Sequence, residues 1–388
     1  MAPSSVFQLS GTCNNYPWGK KGKQSLAAQL CAQTPGLDFK IEDDQFYSEM
    51  WFGDYPDFPA RQLETGEELK DVLAKNKDQL LGKKVVDKFD AQLPYLPKIL
   101  SIAKALPLQI HPNKELSEKL HAKDPQSFTD PNHKPEIAVA LGKFEVFAGF
   151  KPLAQIEPLF KLKPLQQFVP EGTTQWTDKT LREVTRSLLK ASEDTVKQVQ
   201  KQLVAIDKSQ FGDAGYVVDM LPRLQDQYGP EDAGSLVALL RATPFISPAD
   251  GIHAYLSGDI VECMARSNNV LNTGFCPPAD RNSADLFADT LTFKAHSRDD
   301  VYLPSSAYKK SKSGKTVVYA PPMSEPGESD ELEAVDGPGV MIVTGGEGTL
   351  KAEGKEFPLK SGFIFYVAPG AAVRFETQST LQVHMAVI

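Results

Sequence analysis

Apolar positions in residues 1–150 come in short runs separated by Gly, Pro, Asn and Asp. FYSEMWFG (46–53), KILSIAKALPLQIHP (98–112), EIAVAL (136–141) and EVFAGF (145–150) are the clearest. Runs of this length between turn residues predict strands of a sandwich or barrel. Two helices interrupt them. QSLAAQLCAQ (24–33) is one; the other follows Asn113, a suitable N-cap, with Leu116 and Leu120 on one face. From 151 to 240 the period lengthens. Leu181, Val184, Leu188 and Leu189 fall at helical spacing, as do Val196, Val199, Leu203 and Val204, and VVDMLPRL and SLVALLRA follow. A second β region starts near Pro244. After a polar, acidic connection at 321–339, tight glycine turns alternate with short apolar strands up to residue 377, as in a small antiparallel barrel. The pattern predicts a mainly β chain with an inserted α-helical domain.

Composition narrows the function. With 42 Lys+Arg against 50 Asp+Glu the net charge is −8, which argues against broad nucleic-acid binding because that needs a basic face. A locally positive pocket for a small anion stays open. No apolar run is long enough to span a membrane, and the first residues lack the basic and apolar pattern of a secretory signal. The four cysteines, Cys13, Cys31, Cys263 and Cys276, form no CxxC. Neither a disulfide framework nor a thiolate zinc site is expected, and a reducing, cytoplasmic compartment fits.

Three stretches carry candidate chemistry. In Gln109-Ile110-His111-Pro112 a strand would point Gln109 and His111 to one side. Alone, this reads equally as a polar strand end. In Asn132-His133-Lys134-Pro135-Glu136, Lys134 and Glu136 share a face, as a solvated ion pair would, or as an anion contact beside a metal ligand. In PADGIHAYLSGDIVECMARSNNV (248–270), His253 follows a glycine turn and Glu262 lies in an apolar run. A buried carboxylate there is costly unless paired or used, whereas plain alternation would turn Glu262 outward and Val261 and Cys263 inward. Together, two imidazoles, a carboxylate and an amide oxygen make a donor set that suits zinc with an open position, ahead of iron or manganese. His121, His296 and His384 read as background, and His133 as a neighbour of the site.

QIHPNKELSEKLH, DPNHKPEIAVAL and HAYLSGDIVECMA, with NNYPWG (14–19) and YSEMWFG (47–53) in the same order, resemble the type I phosphomannose isomerase family. The resemblance implies two cupin-type (jelly-roll) β-barrels: a catalytic one from 1–150 and 241–300, interrupted by a helical domain at 151–240, and a C-terminal one at 301–388. It implies one Zn2+ per chain held by Gln109, His111, Glu136 and His253. It places Lys98, Glu49 and Glu262 among the catalytic groups and Lys134 at the substrate, leaving Trp18 and Trp51 as packing residues. The implied reaction interconverts mannose 6-phosphate and fructose 6-phosphate through a cis-enediol, feeding GDP-mannose synthesis, in a monomer whose partner is a sugar phosphate and neither nucleic acid nor membrane. Either Glu262 or Lys98 could move the proton.

The chain departs from the family where an anion would be held. Asn272 stands in place of the usual arginine and Pro278 in place of a lysine; Pro107 replaces a serine, and GDYP (53–56) replaces GTHP. Losing two cations is expensive, so Arg281 is expected to replace them at the substrate beside Asn272, against the plainer reading of a solvated loop arginine. Two other functions follow from the departure: an isomerase for a different sugar or sugar phosphate, and a metal-binding paralogue without activity. An iron oxidase fits a glutamine ligand poorly.

Overall fold

A computed structural model describes residues 4–240, 251–293, 305–307, 315–319 and 336–388. His296, residues 241–250 and 294–300 of the expected catalytic unit, and residues 321–335 of the polar connection lie outside the described residues. Two antiparallel sheets organise the rest. The larger has eight strands, with the path Leu271–Thr273, Leu108–Ile110, His253–Ala265, Tyr95–Ile102, Glu49–Trp51 and Thr12–Asn14; Glu145–Ala148 and Glu136–Ala140 also pair with His253–Ala265. The smaller has seven, built on the long strand Gly339–Ala352.

Neither sheet closes into a barrel among the described residues. The smaller sheet also takes strands from the other end of the chain: Val6–Ser10 pairs with Ile364–Val367 and with Arg61–Gln62. Register between distant segments is set by which faces must be buried together, and no local pattern in residues 6–10 reports it.

Strand Tyr95–Ile102 is buried along its whole length because it has cores on both sides. Ile99, with Met50 and Val261, packs towards the helix Leu26–Gln33 and towards Val340, Ile342 and Ile364 of the smaller sheet. Leu100 and Ile102 face the other way, among Ala138, Val146, Tyr255 and Ile260. That second face carries the charged groups described below.

The expected helices form where their caps stand. The Ser25 side chain accepts from Ala28 N ahead of Leu26–Gln33, and the Asn113 side chain accepts from Leu116 N at 3.0 Å ahead of Lys114–Lys123. In the insertion, Asp178–Leu189 starts from a Thr177 capping box and Glu193–Val204 from Ser192. Leu181, Val184, Leu188, Val196, Val199 and Leu203 are buried in one cluster with Ile110 and Phe147, so the helices brace the strands that carry the site. Val204, expected on that face, is exposed instead, at the last position of its helix.

Candidate metal centre and active site

A β-bulge decides what His253–Ala265 presents. Opposite it, Glu145 pairs with Ser257 but Val146 pairs with Tyr255, so one residue is extra. Gly258 beside it has φ 131°, and a Cβ there would stand 2.7 Å from the Lys143 carbonyl oxygen. The extra residue changes the parity of the strand. Odd-numbered His253 and Tyr255 before the bulge and even-numbered Ile260 and Glu262 after it therefore share one face. Directly opposed residues also share a face: Glu262 pairs with Lys98, Lys98 with Trp51, and His253 with Gln109, which in turn pairs with Asn272. Plain alternation, which turned Glu262 outward, is corrected by the bulge.

Three of the expected ligands converge. His111, Glu136 and His253 each offer a donor atom, all within 4.8 Å of one another. Glu136 Oε2 lies 3.4 Å from Nε2 of both imidazoles. His111 Nδ1 meets the Asn269 carbonyl at 2.9 Å and His253 Nδ1 the Gly251 carbonyl at 3.0 Å. A carbonyl only accepts, so each Nδ1 carries the hydrogen and each Nε2 turns a lone pair inward. Burial also holds the His111 imidazole below its usual pKa and so neutral. His111 Nε2, His253 Nε2 and Glu136 Oε2 are buried with no hydrogen-bond partner among the described residues. Three lone pairs aimed at one point repel unless a cation lies between them. Ligands about 2.0–2.1 Å from a tetrahedral zinc lie roughly 3.3 Å apart, matching the two 3.4 Å separations. The residues present fit a zinc-sized divalent ion. Gln109 sits one strand over from His253 on the same face, where an amide oxygen could complete the set.

Beside this cluster is a buried charged row. Lys98 Nζ lies 3.4 Å from Glu262 Oε2 and 3.9 Å from Glu49 Oε1. Burial works against the ammonium, but Glu49, Glu262 and Glu136 outweigh it and hold its pKa above that of an ordinary lysine. Burial, then the nearby Glu136, pushes the Glu262 carboxyl above its usual range, with Lys98 pulling the other way. Glu49 accepts from Asn14 Nδ2 at 3.0 Å and from Trp51 Nε1 at 2.5 Å, and the Trp51 ring lies 4.8 Å from Lys98 Nζ. Trp51 is thus more than the packing residue expected from sequence: it orients Glu49 and faces the lysine. Trp18, by contrast, packs against the Leu100 cluster.

The substrate-side residues separate. Lys134 Nζ lies 2.9 Å from Glu136 Oε1, at the ligand cluster. Asn272 shares the inward row with Gln109 and His253, and its Oδ1 is buried without a partner among the described residues. Arg281 is anchored: its guanidinium meets buried Asp232 at 2.8 Å and the Cys276 carbonyl at 2.9 Å. It is therefore no free loop arginine. Arg266, which sequence reasoning left without a role, pairs with buried Asp54 at 2.7 Å and lies 4.5 Å from the centre of the Tyr55 ring. Asp54 and Tyr55 belong to the altered GDYP stretch; the departure from the family motif was the available signal. Asn14 lies in the NNYPWG stretch, whereas Asn269 carried no signal of its own.

The chain also matches known proteins. The family model for phosphomannose isomerase type I, catalytic domain, matches residues 6–153. The chain is similar to the mannose-6-phosphate isomerase of Aspergillus fumigatus, 33% identical over 97% of this chain and 94% of that protein. It is similar to the one from Saccharomyces cerevisiae at 34%, over 97% and 96%. Among solved structures, mannose 6-phosphate isomerase from Salmonella typhimurium, bound to its substrate f6p and zinc, superposes with a TM-score of 0.79 at 22% identity, covering 99% of this chain and 100% of that one. This last likeness supports the fold. Among the described residues no helix is long and apolar enough to cross a membrane.

Proposed function

The chain belongs to the type I phosphomannose isomerase family, and on that premise we propose that it interconverts mannose 6-phosphate and fructose 6-phosphate with one zinc ion per chain. The observation that carries the reading is the convergence of three buried, unpartnered donor atoms next to the Lys98–Glu262 pair. His111, Glu136, His253 and Gln109 would hold the ion. When bound, zinc would supply Lewis acidity to the reacting sugar.

Glu262 is the better base of the two candidates. Its raised pKa brings it nearer to neutrality, where a general base works best. It takes the proton from C2 of mannose 6-phosphate and returns it to C1, while the hydroxyl hydrogen on O2 passes to O1, so that the C1 aldehyde becomes a hydroxyl and C2 the ketone. Lys98, kept cationic by its carboxylates, offsets negative charge growing on the sugar oxygens. Glu49 holds Lys98 in place. Lys134 and Asn272 face the substrate; Arg281 reaches its anionic end only by loosening its bond to Asp232.

The same proposal includes a catalytic cupin unit from 1–150 and 241–300, a helical insertion at 151–240 and a C-terminal cupin unit at 301–388. It also includes a monomeric cytoplasmic enzyme feeding GDP-mannose synthesis, consistent with four free thiols. One observation favours a second reading, an isomerase of a different sugar: the two cations flanking the altered motifs, Arg266 and Arg281, are both bound to buried aspartates.

A coupled assay decides. Turnover of mannose 6-phosphate that stops with a chelator and returns with zinc supports the proposal. Zinc-dependent turnover of another aldose or aldose phosphate, but not of mannose 6-phosphate, would transfer the assignment to the second reading. A zinc-loaded chain that turns over no sugar contradicts both.

A further inference from the structure

We propose that Asn269 is a positioning residue for the metal centre, joining the segment that sets His111 to the loop that leads into Glu136. The inference rests on the zinc reading above. Asn269 is 1% exposed, between strands His253–Ala265 and Leu271–Thr273. Its carbonyl receives the His111 Nδ1 hydrogen at 2.9 Å and so selects the tautomer and the ring plane. A backbone carbonyl can do this only if its own segment is fixed.

The Asn269 side chain supplies that fixing. Its Nδ2 donates to the Asp130 carbonyl at 2.6 Å and to the Asn132 carbonyl at 2.8 Å. Both partners are acceptors, so the orientation of the amide is unambiguous. Ser267 Oγ accepts from Asn269 N at 3.1 Å and donates to the same Asn132 carbonyl at 3.0 Å. Asn268 N donates to Asp130 Oδ2 at 2.9 Å. The 130–132 loop is thereby laced to residues 267–269, and four residues past Asn132 the chain presents Glu136. One amide couples two ligands that come from different segments. Its own Oδ1 stays buried and unpaired among the described residues, so the side chain is held there through its donors alone.

Replacing Asn269 by Ala keeps the carbonyl but releases it from the loop. Hydrogen-bond partners of metal-bound histidines typically contribute about 10–100-fold in metal affinity, and a loss in that range is expected for Asn269→Ala when zinc binding to the metal-stripped protein is measured by competition with a chromophoric chelator. Turnover should recover largely when zinc is raised, and a weaker form of the same loss, several-fold, is expected for Ser267→Ala. A parent-like zinc affinity in Asn269→Ala, even with a lowered melting temperature, would mean a purely structural residue and overturn the proposal. If Asn269→Ala does not fold, Ser267→Ala decides in the same way, an unchanged affinity overturning it. A parent chain that binds no zinc would overturn the zinc reading and this proposal together, whereas an unchanged variant beside a zinc-binding parent overturns this proposal alone.

Discussion

On the inner face of the eight-stranded sheet, Glu49, Lys98, Glu136 and Glu262 point away from water, with His111 and His253 beside them. In the seven-stranded sheet the interior cluster is Val6, Met341, Val343, Leu350, Phe365 and Val367, with no charged side chain among them. Both sheets are antiparallel, and both share apolar packing on the layer between them. They differ in what the cluster costs. Each aliphatic side chain buried in the smaller sheet stabilises by about 1.5–3 kcal/mol, whereas each charge buried in the larger must be offset by partners. The larger sheet offsets most of that through Lys98 and Lys134, and leaves three donor atoms facing one another. An arrangement that stability alone would not select marks where the chemistry is.

Substitutions in the two sheets should therefore fail in different ways. The largest effect on turnover is expected from Glu262→Gln, which keeps shape and removes the proposed base. General-base losses run to about 10²–10⁴-fold, and kcat should fall by that order with little change in KM. In the parent, activity should rise with pH through the Glu262 ionisation, because only the carboxylate accepts a proton. Since burial raises that pKa, the acid limb should sit above the ordinary carboxylate range, and a pH–rate profile of Glu262→Gln should lack it.

Next comes Gly258→Ala. The added Cβ meets the Lys143 carbonyl, and a positive φ costs a non-glycine residue about 1–3 kcal/mol. If the bulge is what aligns Glu262 with His253, kcat should drop at least tenfold in the fraction that folds, measured as turnover per folded molecule.

Lys98→Met tests the offsetting of charge. Breaking one side of a buried pair costs about 3–5 kcal/mol, so denaturant unfolding should show a loss of that size. The double variant Lys98→Met with Glu262→Gln should recover part of it, because fewer unpaired charges remain; equal or additive losses would show that the pair is not coupled. The smallest effect on turnover belongs to the other sheet. Phe365→Ala should cost about 3–5 kcal/mol of stability and leave turnover per folded molecule unchanged. A changed KM there would undo the contrast between the sheets.

The sequence showed the parts better than their assembly. Caps at Ser25 and Asn113 and the helical period of 181–203 are local, and the structure has them. The convergence of His111, Glu136 and His253 was legible because they sit in motifs that resemble a family's. Residue period alone would have turned Glu262 outward, because a single extra residue near Gly258 reverses the parity and nothing in a period-two pattern announces it. Trp51 looked like packing because its indole N–H finds Glu49, two residues away, only once the strand is formed. Arg281, expected at the substrate, is bound to Asp232, a partner from the preceding helical segment that no local pattern around Arg281 reports. The misses come from contacts that exist only once a strand is formed or distant segments meet, or from a local irregularity; each success rests on a pattern within a few turns of chain.

On this reading His111, Glu136 and His253 grip one ion. Zinc titration of the metal-stripped protein, followed calorimetrically beside Glu136→Gln and His253→Ala, tests it most directly. One tight site per chain, lost or severely weakened in both variants, is the expected result. Parent-like zinc binding in either variant, or none in the parent, would contradict it.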